Sequence, residues 1–149
     1  MLTDADDCMF AVTSLSTDER IIEVVVDSGA VQSVAPPNLF PGPVEPSPMS
    51  RAGKTYRAAN GSRIKNFGQT RVAFVSDEGH RCSLPFQVAD VEHPLLSVSH
   101  LTQVGHRVEL DQKGGRILNP TTGRALQLQR RGGVYVLRLR VSGFPRQGC

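Results

Sequence analysis

Hydrophobic positions along this chain fall in short runs broken by polar, glycine or proline residues. The densest is Ile21 to Val26, β-branched apart from Glu23, which predicts a largely buried strand. It ends in a sharp turn at Asp27-Ser28-Gly29-Ala30, and Val31 to Val34 continues it briefly. Upstream, Phe10 to Leu15 reads as a first strand, with Ser16 to Arg20 as a polar turn. Downstream, Lys54 to Ala59 and Ser62 to Asn66 flank Asn60-Gly61, a pair that accepts the positive φ of a type I′ turn and predicts a hairpin. Gln69 to Ser76 alternates around Val72 and Phe74, Asp77-Glu78-Gly79 turns it, and Cys82 to Val91 returns. Arg107 to Asp111, Arg116 to Asn119, Ala125 to Gln129 and Val134 to Val141 read as further strands with glycine-rich turns between them. Only Leu95 to Val104 has helical spacing, with Leu95, Leu96, Leu101 and Val104 near one stripe and Gly105 as its stop. The expected class is all-β with one short helix.

Six of the ten prolines lie between Pro36 and Pro48. Proline cannot donate to a ladder, so this stretch is expected to be a surface loop. At 149 residues the chain suits one domain, and with 5% aromatics and no Trp its core is expected to be mostly aliphatic. No apolar run approaches the roughly 18 residues of a membrane span, and the acidic N-terminus lacks a signal peptide's positive start, so a soluble, intracellular chain is expected.

Cys8, Cys82 and Cys149 are odd in number and widely spaced, which argues against a disulfide framework. The histidines (His80, His93, His100, His106) add no ligand spacing. His80 and Cys82 share a face of one strand, but two ligands do not close a tetrahedral site, so no metal or other cofactor is expected. A nucleophilic Cys–His pair stays open, with nothing favouring it. Charge is graded: residues 1–28 hold seven acidic groups against Arg20, whereas from Gly105 onward nine basic groups face Glu109 and Asp111. A basic end can touch nucleic acid. A solvated face is preferred here, because the arginines are scattered and little interleaved with aromatics.

The chemistry-bearing candidate is Asp27. A carboxylate at the end of a buried strand is costly unless it is hydrogen-bonded or paired. Ser28 offers a hydroxyl, and Gly29 permits a turn where a side chain would clash. On the residues alone, Asp27 is either a structural turn residue or a catalytic acid.

Three motifs occur in order: Asp27-Ser28-Gly29-Ala30 after the buried strand, Ala59-Asn60-Gly61-Ser62 in the hairpin, and Pro94-Leu95-Leu96-Ser97-Val98-Ser99-His100-Leu101 followed by Val104-Gly105. This order resembles the retropepsin-like aspartic protease of copia-type LTR retrotransposon polyproteins. Thr122-Gly123-Arg124 and Gly133-Val134-Tyr135-Val136-Leu137 resemble that family's segment leading toward integrase. The likeness runs from about Glu23 to Leu137. It implies residues 1–20 as an acidic lead-in with the first strand, 21–111 as a retropepsin-like (acid protease) barrel, and 112–149 as C-terminal strands with a basic tail.

The resemblance implies that Asp27 is half of a catalytic dyad. The chain has no second Asp-Thr-Gly or Asp-Ser-Gly; Asp77-Glu78-Gly79 and Glu109-Leu110-Asp111 do not qualify. The active site is therefore expected at the axis of a symmetric homodimer. Carboxylates about 3 Å apart cannot both ionise, so the pair shares a proton and divides the roles of base and acid. Ser28 and Gly29 are expected to brace the dyad. Ala30, Ala59, Asn60 and Gly61 are expected to bind peptide, the last three on a flap. Leu96-Ser97 stands where relatives carry an apolar-apolar-Gly step behind the catalytic turn, with serine replacing glycine, and His100 is expected to be exposed or capping. The implied function is endopeptidase action on the element's own polyprotein, in the cytoplasm or a virus-like particle. The alternative is a non-catalytic dimerisation or peptide-binding module from a decayed or domesticated element. No Cys-x-x-Cys knuckle precedes the motifs, so the chain is expected to be either a piece of a longer polyprotein or derived from a decayed element.

Overall fold

The Ile21–Val26 run lies inside β1 (Thr17–Asp27), with Val24 and Val26 buried. A computed structural model describes residues 17–53, 55–57 and 61–145 of the chain. After β1 come β2 (Val34–Ala35), α1 (Pro48–Arg51), β3 (Thr55–Arg57), β4 (Arg63–Val75), β5 (Arg81–Ala89), β6 (Leu95–Ser97) and α2 (Val98–Gln103). The chain closes with β7 (Arg107–Asp111), β8 (Gly114–Leu118), β9 (Ala125–Arg131) and β10 (Val134–Pro145). The protein is all-β.

The strands form a 10-stranded sheet in the order β3-β4-β5-β2-β6-β1-β10-β9-β8-β7. A further pairing of Arg140 with Val75 joins β10 to β4. The sheet thereby returns on itself through β4, β5, β2, β6, β1 and β10, with short contacts at two joints: β2 meets β5 at Gln87 and Val88, and β10 meets β4 at Val75. β7, β8 and β9 continue outward from β10 as a meander. One core spans both parts: Val24, Phe74, Phe86, Leu96 and Leu101 share a cluster with Ile117, Leu128, Leu137 and Leu139. Phe40, from the proline-rich stretch, packs on Phe86 with ring centroids 5.2 Å apart.

β1 is held on both sides. It runs antiparallel to β10 from Thr17 opposite Pro145 to Val26 opposite Tyr135. On its other edge Val25, Val26 and Asp27 run parallel to Leu95, Leu96 and Ser97. That parallel step explains why the expected helix from Leu95 is shorter. Leu95 to Ser97 are recruited as a strand, and only Val98 to Gln103 are helical. Tertiary pairing overrides the helical stripe here.

Other expectations shift for similar reasons. Thr17 to Arg20 belong to β1 and not to a turn, since the far end of β10 reaches them and the Arg20 guanidinium lies 4.3 Å from the Phe144 ring centroid. The Phe10–Leu15 strand falls outside the described residues. Arg63 to Val75 form one strand, with a register shift between Asn66 and Gly68 in place of a break. In the β3–β4 hairpin Arg57 faces Arg63. A two-residue Asn60-Gly61 turn would set Arg57 opposite Ile64, so the register differs by one from a type I′ hairpin. The long β4–β5 ladder fixes which way β4 faces, and a one-residue slip would reverse it.

The proline-rich stretch forms no continuous ladder. It is pinned at one bridge, Glu45 with Gln69, and by α1, which Ser47 caps reciprocally with Ser50. Ser47 is fully buried and its hydroxyl donates to Gln87 Oε1 at 3.0 Å, an oxygen that also accepts from Asn66 Nδ2 at 3.2 Å. Gly68 sits against this loop with φ +138°, and a Cβ there would lie 2.3 Å from the Glu45 carbonyl oxygen. Only glycine fits that contact.

Candidate active site at the end of β1

β1 delivers Asp27 to the rim of the closed ring. Its Cα is level with Ser97 of β6, while the β10 ladder stops one residue earlier at Val26. The side chain is half-buried, and Ser28 and Gly29 beyond it are exposed. Asp27 Oδ1 accepts the Gly29 N–H at 2.7 Å. The bond closes an Asx-type turn and meets the need of a strand-end carboxylate for a donor. Oδ2 accepts no hydrogen bond among the described residues. A Cβ at Gly29 would stand 3.3 Å from Oδ1, so glycine keeps that approach open.

Behind the turn, Ser97 has no exposed surface. Its hydroxyl donates to the Ala30 carbonyl at 2.7 Å and accepts the His100 N–H at 3.0 Å, which caps α2. Its own N–H donates to Ser33 Oγ at 2.9 Å, and the Ser33 carbonyl accepts the Gln87 N–H at 2.8 Å. The exit of the Asp27 turn is thus tied to β6, α2 and β5 through buried groups that are all hydrogen-bonded. Such a bracing holds a carboxylate in one orientation.

The sequence-selected residues divide. Asp27, Ser28, Gly29 and Ala30 form one turn, with Ala30 half-buried. Gly61 lies at the β3–β4 hairpin with φ +87° and is exposed. Ala59 and Asn60 fall outside the described residues. No hydrogen bond among the described residues joins the hairpin to the Asp27 turn. Nothing local in the sequence distinguishes Ser33 from any serine after a turn. Ser97 is visible in sequence only as an irregularity, and its role as brace and N-cap comes from the packing. Val31, next to the turn, is 70% exposed.

The acids of the other two turns are engaged elsewhere. Asp77 pairs with Arg138 at 3.4 Å, and Asp111 Oδ1 accepts the Lys113 and Gly114 N–H groups. Much of the basic C-terminal third is neutralised locally. Arg116 pairs with Glu109 at 2.7 Å, Arg140 with Glu19 at 3.8 Å, and Arg131 with Glu23. Among the described residues no cluster of three or more potential ligands could hold a metal ion. No helix among them is long and apolar enough to cross a membrane.

Across known proteins, no protein-family profile matches this chain, and no curated protein matches it.

Proposed function

We propose that this chain is a retropepsin-like aspartic endopeptidase of the copia type, active as a homodimer and processing its own polyprotein. The observation that carries the reading is the Asp27 carboxylate, presented at the end of a core strand. One of its oxygens is held by Gly29, the other accepts no hydrogen bond among the described residues, and Ser97 braces the turn from behind. The motif order supplies the family.

One carboxylate cannot act as base and acid at the same moment. Two copies of Asp27 meeting at a two-fold axis share a proton. The ionised member takes a proton from water as it attacks the peptide carbonyl, and the protonated member donates to the carbonyl oxygen. Ser28 and Gly29 are exposed, and in this reading the Ser28 hydroxyl hydrogen-bonds across the axis. Extended substrate lies between protomers beneath the β3–β4 hairpin, which serves as the flap. The setting is the cytoplasm or the retroelement's particle.

The test pairs sedimentation with cleavage of a polyprotein fragment from acidic to neutral pH. Wild type is expected to dimerise, cut and bind statine-type inhibitors. Asp27→Asn is expected to dimerise and not cut. A strictly monomeric chain, or an Asp27→Asn variant with full activity, refutes the assignment. A dimer that binds peptide, never cuts and is indifferent to Asp27→Asn establishes the non-catalytic module in its place.

A further inference from the structure

A cavity of about 210 Å³ opens between the β4–β5 hairpin, α2 and the β7–β9 meander, and no residue of the Asp27 turn lines it. Its floor is apolar: Phe74, Leu84, Leu101, Ile117 and Leu126. Its ionisable wall is basic or thiol, made by His80, Arg81, His106, Arg124 and Cys82, with no carboxylate among the lining residues. Neither the Arg81 nor the Arg124 guanidinium has a hydrogen-bond or ion-pair partner among the described residues, unlike Arg116, Arg131, Arg138 and Arg140. His106 Nδ1 is buried with no hydrogen-bond partner among the described residues, an uncommon state for a buried polar atom. Glu78, whose charge acts on Cys82, already accepts the Gln127 N–H at 3.0 Å.

We propose that this cavity binds a compact apolar group ending in a carboxylate, its body on the Phe74–Leu126 floor and its anion at Arg124 and Arg81. Three features agree on that ligand. Sites for drug-sized ligands hold roughly 300–1,000 Å³, so this one admits only a small aliphatic or single-ring group. An apolar floor with a few convergent polar groups is the usual make-up of a binding pocket. Guanidinium prefers carboxylate through paired N–H donors. The same chemistry is offered by a free short-chain acid and by an apolar residue at a peptide's C-terminus. The site is independent of catalysis at Asp27.

Cys82 in the wall provides the readout. The full chain carrying Asp27→Asn is alkylated with iodoacetamide, and modification at Cys8, Cys82 and Cys149 is followed separately by peptide mass spectrometry. Hexanoate is expected to slow alkylation at Cys82 alone, with half-protection at a concentration about threefold to tenfold lower than for hexanamide. Arg124→Gln combined with Arg81→Gln is expected to erase that preference, judged as the ratio with and without ligand in each variant. Acetyl-Gly-Leu, as free acid and as amide, forms the second arm. Selective protection by hexanoate assigns a free acid, and selective protection by the peptide acid alone assigns a chain terminus. Equal protection by acid and amide, no protection by any of the four, or an unchanged preference in the double variant overturns the proposal. Because the protein used cannot depend on an Asp27 dyad, failure here leaves the protease reading standing, and the reverse holds too.

Discussion

The Ser97 hydroxyl donates to the Ala30 carbonyl across 2.7 Å, and the same oxygen accepts the His100 N–H. One buried side chain therefore ends β6, starts α2 and holds the exit of the Asp27 turn. Ser97→Ala removes a helix N-cap and a hydrogen bond to a part-buried carbonyl. It is expected to destabilise the fold by about 1–3 kcal/mol, read as a lower urea midpoint with an unchanged m-value. Under the protease reading kcat falls while KM holds, since the carboxylate loses its orientation and the cleft keeps its contacts. A variant as stable as wild type shows that the brace contributes nothing.

Asp27 itself separates fold from chemistry. An Asn at position 27 still offers Oδ1 to the Gly29 N–H, whereas Ala does not. Asp27→Asn is expected to keep wild-type stability to within about 0.5 kcal/mol, and Asp27→Ala to lose about 1 kcal/mol as that turn bond goes. Denaturation of the two variants side by side measures the difference. Equal losses in both mean that the 2.7 Å bond is not what holds the turn.

At Gly68 two constraints coincide, φ +138° and the Glu45 carbonyl where a Cβ would sit. Gly68→Ala is expected to cost about 2 kcal/mol or more, because both the backbone angle and the loop must move. Its proline-rich neighbour should then become an early site of limited proteolysis. An alanine variant with wild-type stability and protease resistance contradicts the contact.

Removal of the buried Ser47 hydroxyl leaves Gln87 Oε1 with Asn66 Nδ2 alone and uncaps α1. Ser47→Ala is expected to cost about 1–3 kcal/mol. Gln87→Leu strands Ser47 and Asn66 and also removes the Gln87 Nε2 bond to Gln69 Oε1 at 3.4 Å, so it should cost at least as much. Thermal melts of the single and double variants decide it, and additive losses would show that the groups do not act as a network.

Burial pushes the Cys82 thiol up from its ordinary value. The nearby Arg124 opposes that shift and Glu78 adds to it. The folded state thus holds the Cys82 proton more tightly than the unfolded chain. Its contribution to stability is complete below the ordinary thiol range, near pH 8.5, and is lost as pH rises through the raised folded value. Urea midpoints should fall more steeply above that pH in wild type than in Cys82→Ala. Parallel slopes would show no such linkage.

Periodicity and turn chemistry were enough to make this chain all-β, and to place a carboxylate at the end of its most apolar β-branched run, because alternation, glycine and proline act over a few residues. The Leu95–Leu96 pair shows where that reach ends. Its spacing suits a helix, yet pairing with Val25 and Val26 turns it into strand. The hairpin shows the same limit, since β3 pairs with β4 one residue away from the register that a two-residue Asn60-Gly61 turn requires. Closure of the ring by Arg140 and Val75, the hold of Ser97 on Ala30, and the basic, carboxylate-free cavity around Cys82 all join residues far apart in the chain. Such contacts form only once the sheet has closed, and no local pattern encodes them. The identity of the candidate acid is therefore local information, and the geometry that gives it an orientation is tertiary.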